Sequence, residues 1–162
     1  RYVNIFRSVP VLVMILWVYY GLPVAFGIDL SVFASAVIAL SLCDAAFEAE
    51  ILRAGIQSIE RDQTESARSL GFTPWQTYRH VILPQALRRI LPPLGNQFVY
   101  ILKISSLVSV IGFGDLTRKA NELNVTEYRP LEIYTVLIVE YLAIILLASW
   151  AVKKLEQALR ID

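Results

Sequence analysis

The feature that most constrains this chain is a run of 21 residues, 8–28, that contains no charged side chain. A helix of about 20 apolar residues is long enough to cross the hydrocarbon core of a bilayer. Three further apolar runs follow, and each contains a single charged residue. The apolar content of 56% and the mean hydropathy of +0.55 are also higher than in most soluble domains. The sequence therefore predicts an all-α polytopic membrane protein with spans at about 8–28, 30–47, 90–114 and 133–152.

Lysine and arginine are distributed unequally between the two sides of these four spans. Cytoplasmic loops of membrane proteins carry the excess of these residues. Eleven of them precede the first span or lie in the central loop 48–89 or the C-terminal tail, whereas three lie between the third and fourth spans. We therefore expect the central loop and the C-terminus to face the cytoplasm. The eleven are Arg1, Arg7, Arg53, Arg61, Arg68, Arg79, Arg88, Arg89, Lys153, Lys154 and Arg160, and the three are Arg118, Lys119 and Arg129.

The residue types that carry enzyme chemistry are scarce. One cysteine, Cys43, and one histidine, His80, cannot form a disulfide framework or a Cys/His metal site within the chain. There is no glycine-rich phosphate loop, and the histidine has no obvious nucleophile as a partner. We therefore expect no catalytic residue, no metal site and no bound cofactor. The net charge of +1 gives no reason to expect nucleic-acid binding.

The central loop 48–89 is polar, yet it carries the signals of ordered helices. Residues 63–70 are followed by Gly71, which suits the left-handed position at the end of a helix. Capping indicates order and not docking, so a surface hairpin without a partner stays open at this point. A DNA-binding helix-turn-helix is disfavoured, because the loop holds six arginines against five acidic residues and lies against the membrane.

A second helix is predicted directly after this turn. Thr73 suits its N-cap, Pro74 its first position, and Gln76 the position three residues after the cap. Pro84 is expected to break or kink the chain that follows, because proline removes a hydrogen bond from the helix. The loop therefore predicts two short helices at an angle, presented into the cytoplasm.

The spacing of this loop resembles the EAA loop of ABC importer permeases. That pattern is Glu-Ala-Ala, three residues, Gly, nine residues, Ile, any residue and Leu-Pro. Here Glu65-Ser66-Ala67 is followed at the same spacing by Gly71 and by Val81-Ile82-Leu83-Pro84. The departures are Ser66 in place of alanine, Val81 in place of isoleucine, and Asp62 where the amino acid importers usually carry glycine before Gln63.

Flanking segments extend the resemblance to the polar amino acid permeases over nearly the whole chain. The matching segments are 2–10, 20–23, 45–51 and 102–107. The resemblance implies the transmembrane domain of a type I ABC importer in the bacterial inner membrane. Because that family has five spans and this sequence begins at Arg1 rather than at methionine, one further span is expected before it.

The resemblance also implies a role and a set of partners. The chain would be a non-catalytic permease subunit for polar amino acids, and its helix 65–70 would dock on a dimer of cytoplasmic ABC ATPase subunits that bind ATP and Mg²⁺. A second permease subunit, identical or related, an extracytoplasmic solute-binding protein and membrane lipid complete the expected partners. The implied docking residues are Gln63, Glu65, Ser66, Ala67, Gly71, Thr73, Pro74, Leu83 and Pro84.

Two charged residues, Lys103 and Glu140, fall within predicted spans at similar depths. A charge at the bilayer centre costs about 2.5–3.5 kcal/mol on insertion scales and generally faces a partner or water. One interpretation is a structural ion pair between them. The other is a polar wall of a solute path, in which Asn96, Tyr100, Lys103 and Ser106 share one helical face opposite Glu140. An ion-coupled secondary transporter or channel could use the same charges, but would not need the docking loop.

Overall fold

The computed structural model describes residues 2–159, which form helices joined by short turns and contain no β-strand. Two of the basic residues counted above, Arg1 and Arg160, lie outside this range. The helices of the described range are α1 (Tyr2–Ser8), α2 (Val11–Phe26), α3 (Val32–Gln57), α4 (Arg61–Ser69), α5 (Pro74–Ile111), α6 (Leu116–Glu127) and α7 (Pro130–Leu159).

Three of these helices, α3, α5 and α7, are long and apolar enough to cross a membrane. They contain 26, 38 and 30 residues, so α3 and α5 extend well beyond the spans predicted at 30–47 and 90–114 and into the polar loop. The helix at the first apolar run, α2, is shorter. The first predicted span, at 8–28, therefore stays a prediction.

Pro23 lies inside α2, and the helix continues across it. The preceding residues Trp17–Gly21 form a π-turn, in which the N–H of Leu22 bonds to the carbonyl oxygen of Trp17. A local π adjustment of this kind re-satisfies backbone groups that a proline would leave unpaired. The helix ends instead before Gly27, which takes a left-handed φ of 66°.

The same arrangement carries α5 through Pro84. A π-turn at Tyr78–Ile82 precedes it, and the N–H of Leu83 bonds to the carbonyl oxygen of Tyr78. The expectation that the loop holds two short helices is therefore wrong for the second one. That helix begins at Pro74 as predicted, but it continues to Ile111 with a 3₁₀ segment over its last turns.

Helix α3 is the element against which α1, α2 and α5 pack. Ser31 caps its N-terminus, where the side-chain oxygen accepts a hydrogen bond from the N–H of Ala34 at 3.2 Å. Small side chains let helices approach closely in membranes, where packing rather than hydrophobic burial drives association. The buried face of α3 consists of such residues, namely Ser35, Ala36, Ala39, Cys43, Ala46 and Gly55.

The hydrophobic core lies where α2, α3 and the C-terminal end of α5 meet. Ile15 and Val18 of α2 are almost fully buried there, beside Val108 and Ile111 of α5. The most apolar part of α7, in contrast, buries none of its residues within the described chain. The apolar surface of α7 is therefore available to lipid or to another subunit.

A side-chain hydrogen bond also links α3 to α5. Gln97 Nε2 donates to Asp44 Oδ1 at 2.6 Å, and both side chains are partly buried. The sequence analysis missed this pair, because the two residues lie 53 positions apart and neither belongs to a recognisable motif. A polar group left unpaired in such surroundings costs about 1–3 kcal/mol, so the bond fixes the register of the two helices.

Close packing of α3 on α5 at Gly55 gives a direct test of this architecture. A Cβ atom at Gly55 would overlap the Ile90 side chain, which is 3% exposed. We expect Gly55→Ala to destabilise the protein by about 1–3 kcal/mol, because the added methyl group forces the two helices apart. The measurement is the thermal unfolding midpoint of the detergent-solubilised protein.

Gly114→Ala is the matched control. A Cβ atom at Gly114 would meet no heavy atom within 4 Å, so the same chemical change should leave the midpoint unchanged. Equal unfolding midpoints for the two variants would contradict the close approach of α3 and α5.

Candidate functional site

The predicted docking helix exists as α4, and its end has the geometry that the sequence indicated. Gly71 follows it with a left-handed φ of 83°. The N–H of Gly71 bonds to the carbonyl oxygen of Arg68 at 2.9 Å, and that of Phe72 to Ala67 at 3.1 Å. These two bonds form the Schellman motif, which satisfies carbonyl groups at a helix end. The turn predicted at Gly71 is therefore confirmed.

The start of α5 is capped as the sequence predicted. The N–H of Thr73 donates to Gln76 Oε1 at 2.9 Å, and the N–H of Gln76 donates back to the Thr73 hydroxyl at 3.4 Å. Pro74 occupies the first turn, where its missing N–H costs nothing. This capping box is confirmed, and it fixes the direction in which α5 leaves the turn at Gly71.

Most of the α4 surface is exposed. Ala67 is the exception at 4% exposure, and it faces the rest of the chain. Glu65 and Ser66 belong to the exposed side and, with Asp62, Ser69 and Leu70, line a shallow depression of about 650 Å³. A short polar helix that leaves one side free in this way is suited to insertion into a groove of another protein.

Side chains of α5 hold α4 and the preceding turn in place. Gln85 Nε2 donates to Gln63 Oε1 on α4 at 3.3 Å. Arg89 donates to the carbonyl oxygen of Ser58 at the end of α3. Leu83 and Pro84 are brought next to these contacts, at the start of the regular helix after the π-turn. The structure thus gathers all the predicted docking residues in one region of the chain.

Lys103 and Ser106 lie in the wall of a cavity of about 590 Å³ between α5, α6 and α7. The Ser106 hydroxyl donates to the carbonyl oxygen of Lys103 at 2.9 Å. Thr117 and Tyr141 also line the cavity, and their hydroxyl groups lie 2.9 Å apart. The cavity therefore combines one cation and three hydroxyl groups with an otherwise aliphatic lining.

Glu140 lines a different cavity, of about 430 Å³, between α6 and α7. Among the described residues no ion pair joins Glu140 to Lys103. The structural bridge considered from the sequence is therefore wrong within a single chain. The two side chains are directed toward separate cavities on either side of Leu137, which lines both.

Asn96 and Tyr100 precede Lys103 on α5 by about two turns and one turn, and both are exposed in the single chain. Neither lines the cavity that contains Lys103 and Ser106. The four polar residues therefore form an open stripe, and only its end at Lys103 and Ser106 is part of a cavity. Thr117 and Tyr141 were missed from the sequence, because they lie on other helices and share no spacing with the stripe.

Ion pairs on α6 lie beside the cavity that contains Glu140, which Lys119 also lines. Lys119 and Arg118 both donate to the Glu122 carboxylate, at 3.0 Å and 2.9 Å. These hydrogen bonds hold the pKa of Glu122 below its ordinary value, with the Lys119 bond as the larger cause.

In residues 2–159 no group of three or more His, Cys, Asp or Glu side chains is placed to hold a metal ion.

Known proteins resemble this chain along almost its whole length. Residues 1–161 match the family described as "Binding-protein-dependent transport system inner membrane component". The glutamine transport system permease protein GlnP of Escherichia coli K12 is 40% identical over 162 residues, which cover 99% of this chain and 74% of GlnP. The arginine transport system permease protein ArtQ of Bacillus subtilis is 35% identical over 159 residues, 98% of this chain and 73% of ArtQ.

Two solved structures share the fold. The crystal structure of an amino acid ABC transporter with histidines matches with a TM-score of 0.90 and 43% identity, over 97% of this chain and 73% of that chain. The inward-facing MetNI methionine ABC transporter matches with a TM-score of 0.78 over 98% of this chain and 73% of that chain; at 24% identity it supports the fold alone. The predicted fold class, the transmembrane domain of a type I ABC importer, is confirmed. The chain is an integral membrane protein that belongs to the family of binding-protein-dependent transport system inner membrane components.

Proposed function

We propose that this chain is the permease subunit of an ATP-driven importer for polar amino acids, and that it couples ATP hydrolysis on a separate subunit to solute translocation. The observation that carries the proposal is α4. It is a short, largely exposed helix that ends in a Schellman motif and is held to α5 by the hydrogen bond between Gln63 and Gln85. When a soluble partner displaces a helix fixed in this way, the helix can transmit the displacement to the membrane helices.

The partner in this proposal is a pair of cytoplasmic ABC ATPase subunits. ATP and Mg²⁺ bind to those subunits, and this chain contributes no catalytic residue and binds no cofactor. Glu65 and Ser66 provide carboxylate and hydroxyl groups on the exposed side of α4, next to Asp62 and Ser69. Such a surface favours a groove on the ATPase that offers hydrogen-bond donors and basic side chains.

The assignment to polar amino acids draws on the relatives and on the cavities. GlnP and ArtQ are named for glutamine and arginine transport. A free amino acid carries a carboxylate and an ammonium group. Lys103 in one cavity and Glu140 in the neighbouring one offer the opposite charges. In this proposal Asn96, Tyr100 and Ser106 extend the polar wall of the path.

In this proposal the chain lies in the bacterial inner membrane, with α4 and the C-terminus on the cytoplasmic side. The excess of lysine and arginine on that side supports this orientation. A second permease subunit, identical or related, pairs with this chain, and an extracytoplasmic binding protein delivers the solute. Lipid or the second permease covers the apolar face of α7, which is uncovered within the described chain. No nucleic acid is involved.

Reconstitution tests the proposal as a whole. The chain is co-expressed with its ATPase and binding protein, purified, and placed in proteoliposomes with a panel of labelled amino acids. We expect the ATPase to co-purify and uptake to require ATP and Mg²⁺. Uptake that persists without ATP and follows an ion gradient would instead identify a secondary transporter.

The turn at Gly71 should control how α4 meets the ATPase. A β-branched residue is strained at the φ of 83° found there, by about 1–2 kcal/mol. We expect Gly71→Val to lower both ATPase co-purification and uptake by on the order of fivefold. Gly71→Asn is the control, since asparagine tolerates this conformation, and it should stay close to wild type. Normal assembly and uptake by Gly71→Val would refute the assignment.

Lys103 should matter for transport more than for folding, because it has no ion-pair partner among the described residues. We expect Lys103→Met to reduce ATP-driven uptake by on the order of tenfold while the folded yield in detergent stays constant. Glu140→Gln should behave likewise. Lys153→Gln, an exposed change at the cytoplasmic end of α7, serves as the control. A loss of folded yield that accounts for the whole loss of uptake would exclude a role in the path.

A further inference from the structure

The side chain of Gln85 joins three parts of the chain. Its amide nitrogen donates to Gln63 Oε1 on α4 at 3.3 Å and to the carbonyl oxygen of Val81 at 2.9 Å. A primary amide has two N–H groups, so both bonds form at once. Val81 belongs to the π-turn, whereas Gln85 itself lies in the regular helix that follows it. Gln85 thus connects the docking helix, the π-turn and the membrane-directed part of α5.

Arg89 extends this connection along the same face of α5. It follows Gln85 by four residues, which places the two side chains one helical turn apart. Its guanidinium group donates to the carbonyl oxygen of Ser58, the residue that ends α3. Because Ser58 and Gln63 bracket the turn from α3 to α4, one face of α5 holds both ends of that turn.

The position of the π-turn makes the bond from Gln63 mechanically important. Helices bend at π-turns, because the regular ladder of hydrogen bonds is interrupted there. If a displacement of α4 reached α5 only through the turn at Gly71, it would act on α5 before the π-turn at Tyr78–Ile82. Bending at the π-turn would then reduce the displacement that reaches the rest of α5. The bond between Gln63 and Gln85 enters α5 beyond the π-turn and avoids this loss.

We propose that Gln85 is a positioning residue that makes α4 and the membrane-directed part of α5 move as one unit. The proposal rests on the proposed function, since it requires an ATPase that displaces α4. Ala67 supports the same arrangement, because it lies four residues after Gln63 and is buried on the side of α4 that faces the chain. Burial of Ala67 keeps α4 from moving closer to the rest of the chain, whereas the hydrogen bond from Gln85 also keeps α4 from moving away from α5.

The test measures the number of solute molecules taken up per ATP hydrolysed by the complete transporter in proteoliposomes. Gln85→Glu removes both N–H donors and sets a carboxylate against two acceptor oxygens. We expect this ratio to fall about fivefold, with ATPase co-purification and folded yield unchanged. Gln85→Met has similar length and no donor, and it should lower the ratio in the same direction. Gln57→Glu makes the same chemical change at an exposed residue outside the docking set and should stay near wild type.

A double variant distinguishes the loss of the bond between Gln63 and Gln85 from a general effect of the substitutions. Adding Gln63→Lys to Gln85→Glu replaces the hydrogen bond by an ion pair, and we expect it to restore the ratio to within about twofold of wild type. An unchanged ratio in Gln85→Glu and Gln85→Met would overturn the inference. So would a double variant no better than Gln85→Glu alone. Failure of the wild-type transporter to link uptake to ATP would instead overturn the proposed function.

Discussion

The structure depends on one constraint, which is that hydrocarbon offers no hydrogen bonds to an exposed backbone. Every break in a helical ladder within a span has to be repaired locally. Pro23 in the first apolar run follows a leucine that closes a π-turn, and Pro84 in the polar loop before the third run does the same; in both cases the helix continues across the proline. The helices stay continuous but are locally irregular, so α2 and α5 each contain a π-turn at which the helix can bend, and α5 also contains Pro92 and Pro93. Under the proposed function, the π-turn of α5 lies between α4 and the membrane. Its position decides which contacts can carry a displacement of α4 into the membrane-spanning part of α5.

Under the proposed function, α5 transmits such a displacement because α3 and α7 both pack closely on it. A Cβ atom at Gly55 of α3 would overlap Ile90 of α5, and one at Gly95 of α5 would overlap Val152 of α7. Surfaces that approach this closely cannot slide past each other without separating first. The hydrogen bond from Gln97 to Asp44 adds a directional contact between α3 and α5. A movement of α5 therefore carries α3 and α7 with it rather than leaving them in place.

Features set by neighbouring residues could be predicted from the sequence, and those set by tertiary contacts could not. The end of α4 at Gly71 and the capping box at Thr73 are local, because each involves groups within a few residues. The apolar runs likewise located the long helices. The continuation through Pro84 was missed, since a proline has the same sequence signature whether a helix ends or widens there. The bond between Gln63 and Gln85 spans 22 positions, and no periodicity indicates it.

The charges at Lys103 and Glu140 show what one chain leaves unfinished. Had they formed a pair, their presence within apolar helices would have been explained by packing alone. Within the described residues neither has an ion-pair partner, and both side chains are exposed at separate cavities. An unpaired charge facing lipid would be unfavourable by about 2.5–3.5 kcal/mol on insertion scales. The surfaces that bear them are therefore unsuited to lipid, and in the assembled transporter they face water or protein. Under the proposed function, the solute path or the second subunit therefore meets the faces of α5 and α7 that bear these two charges.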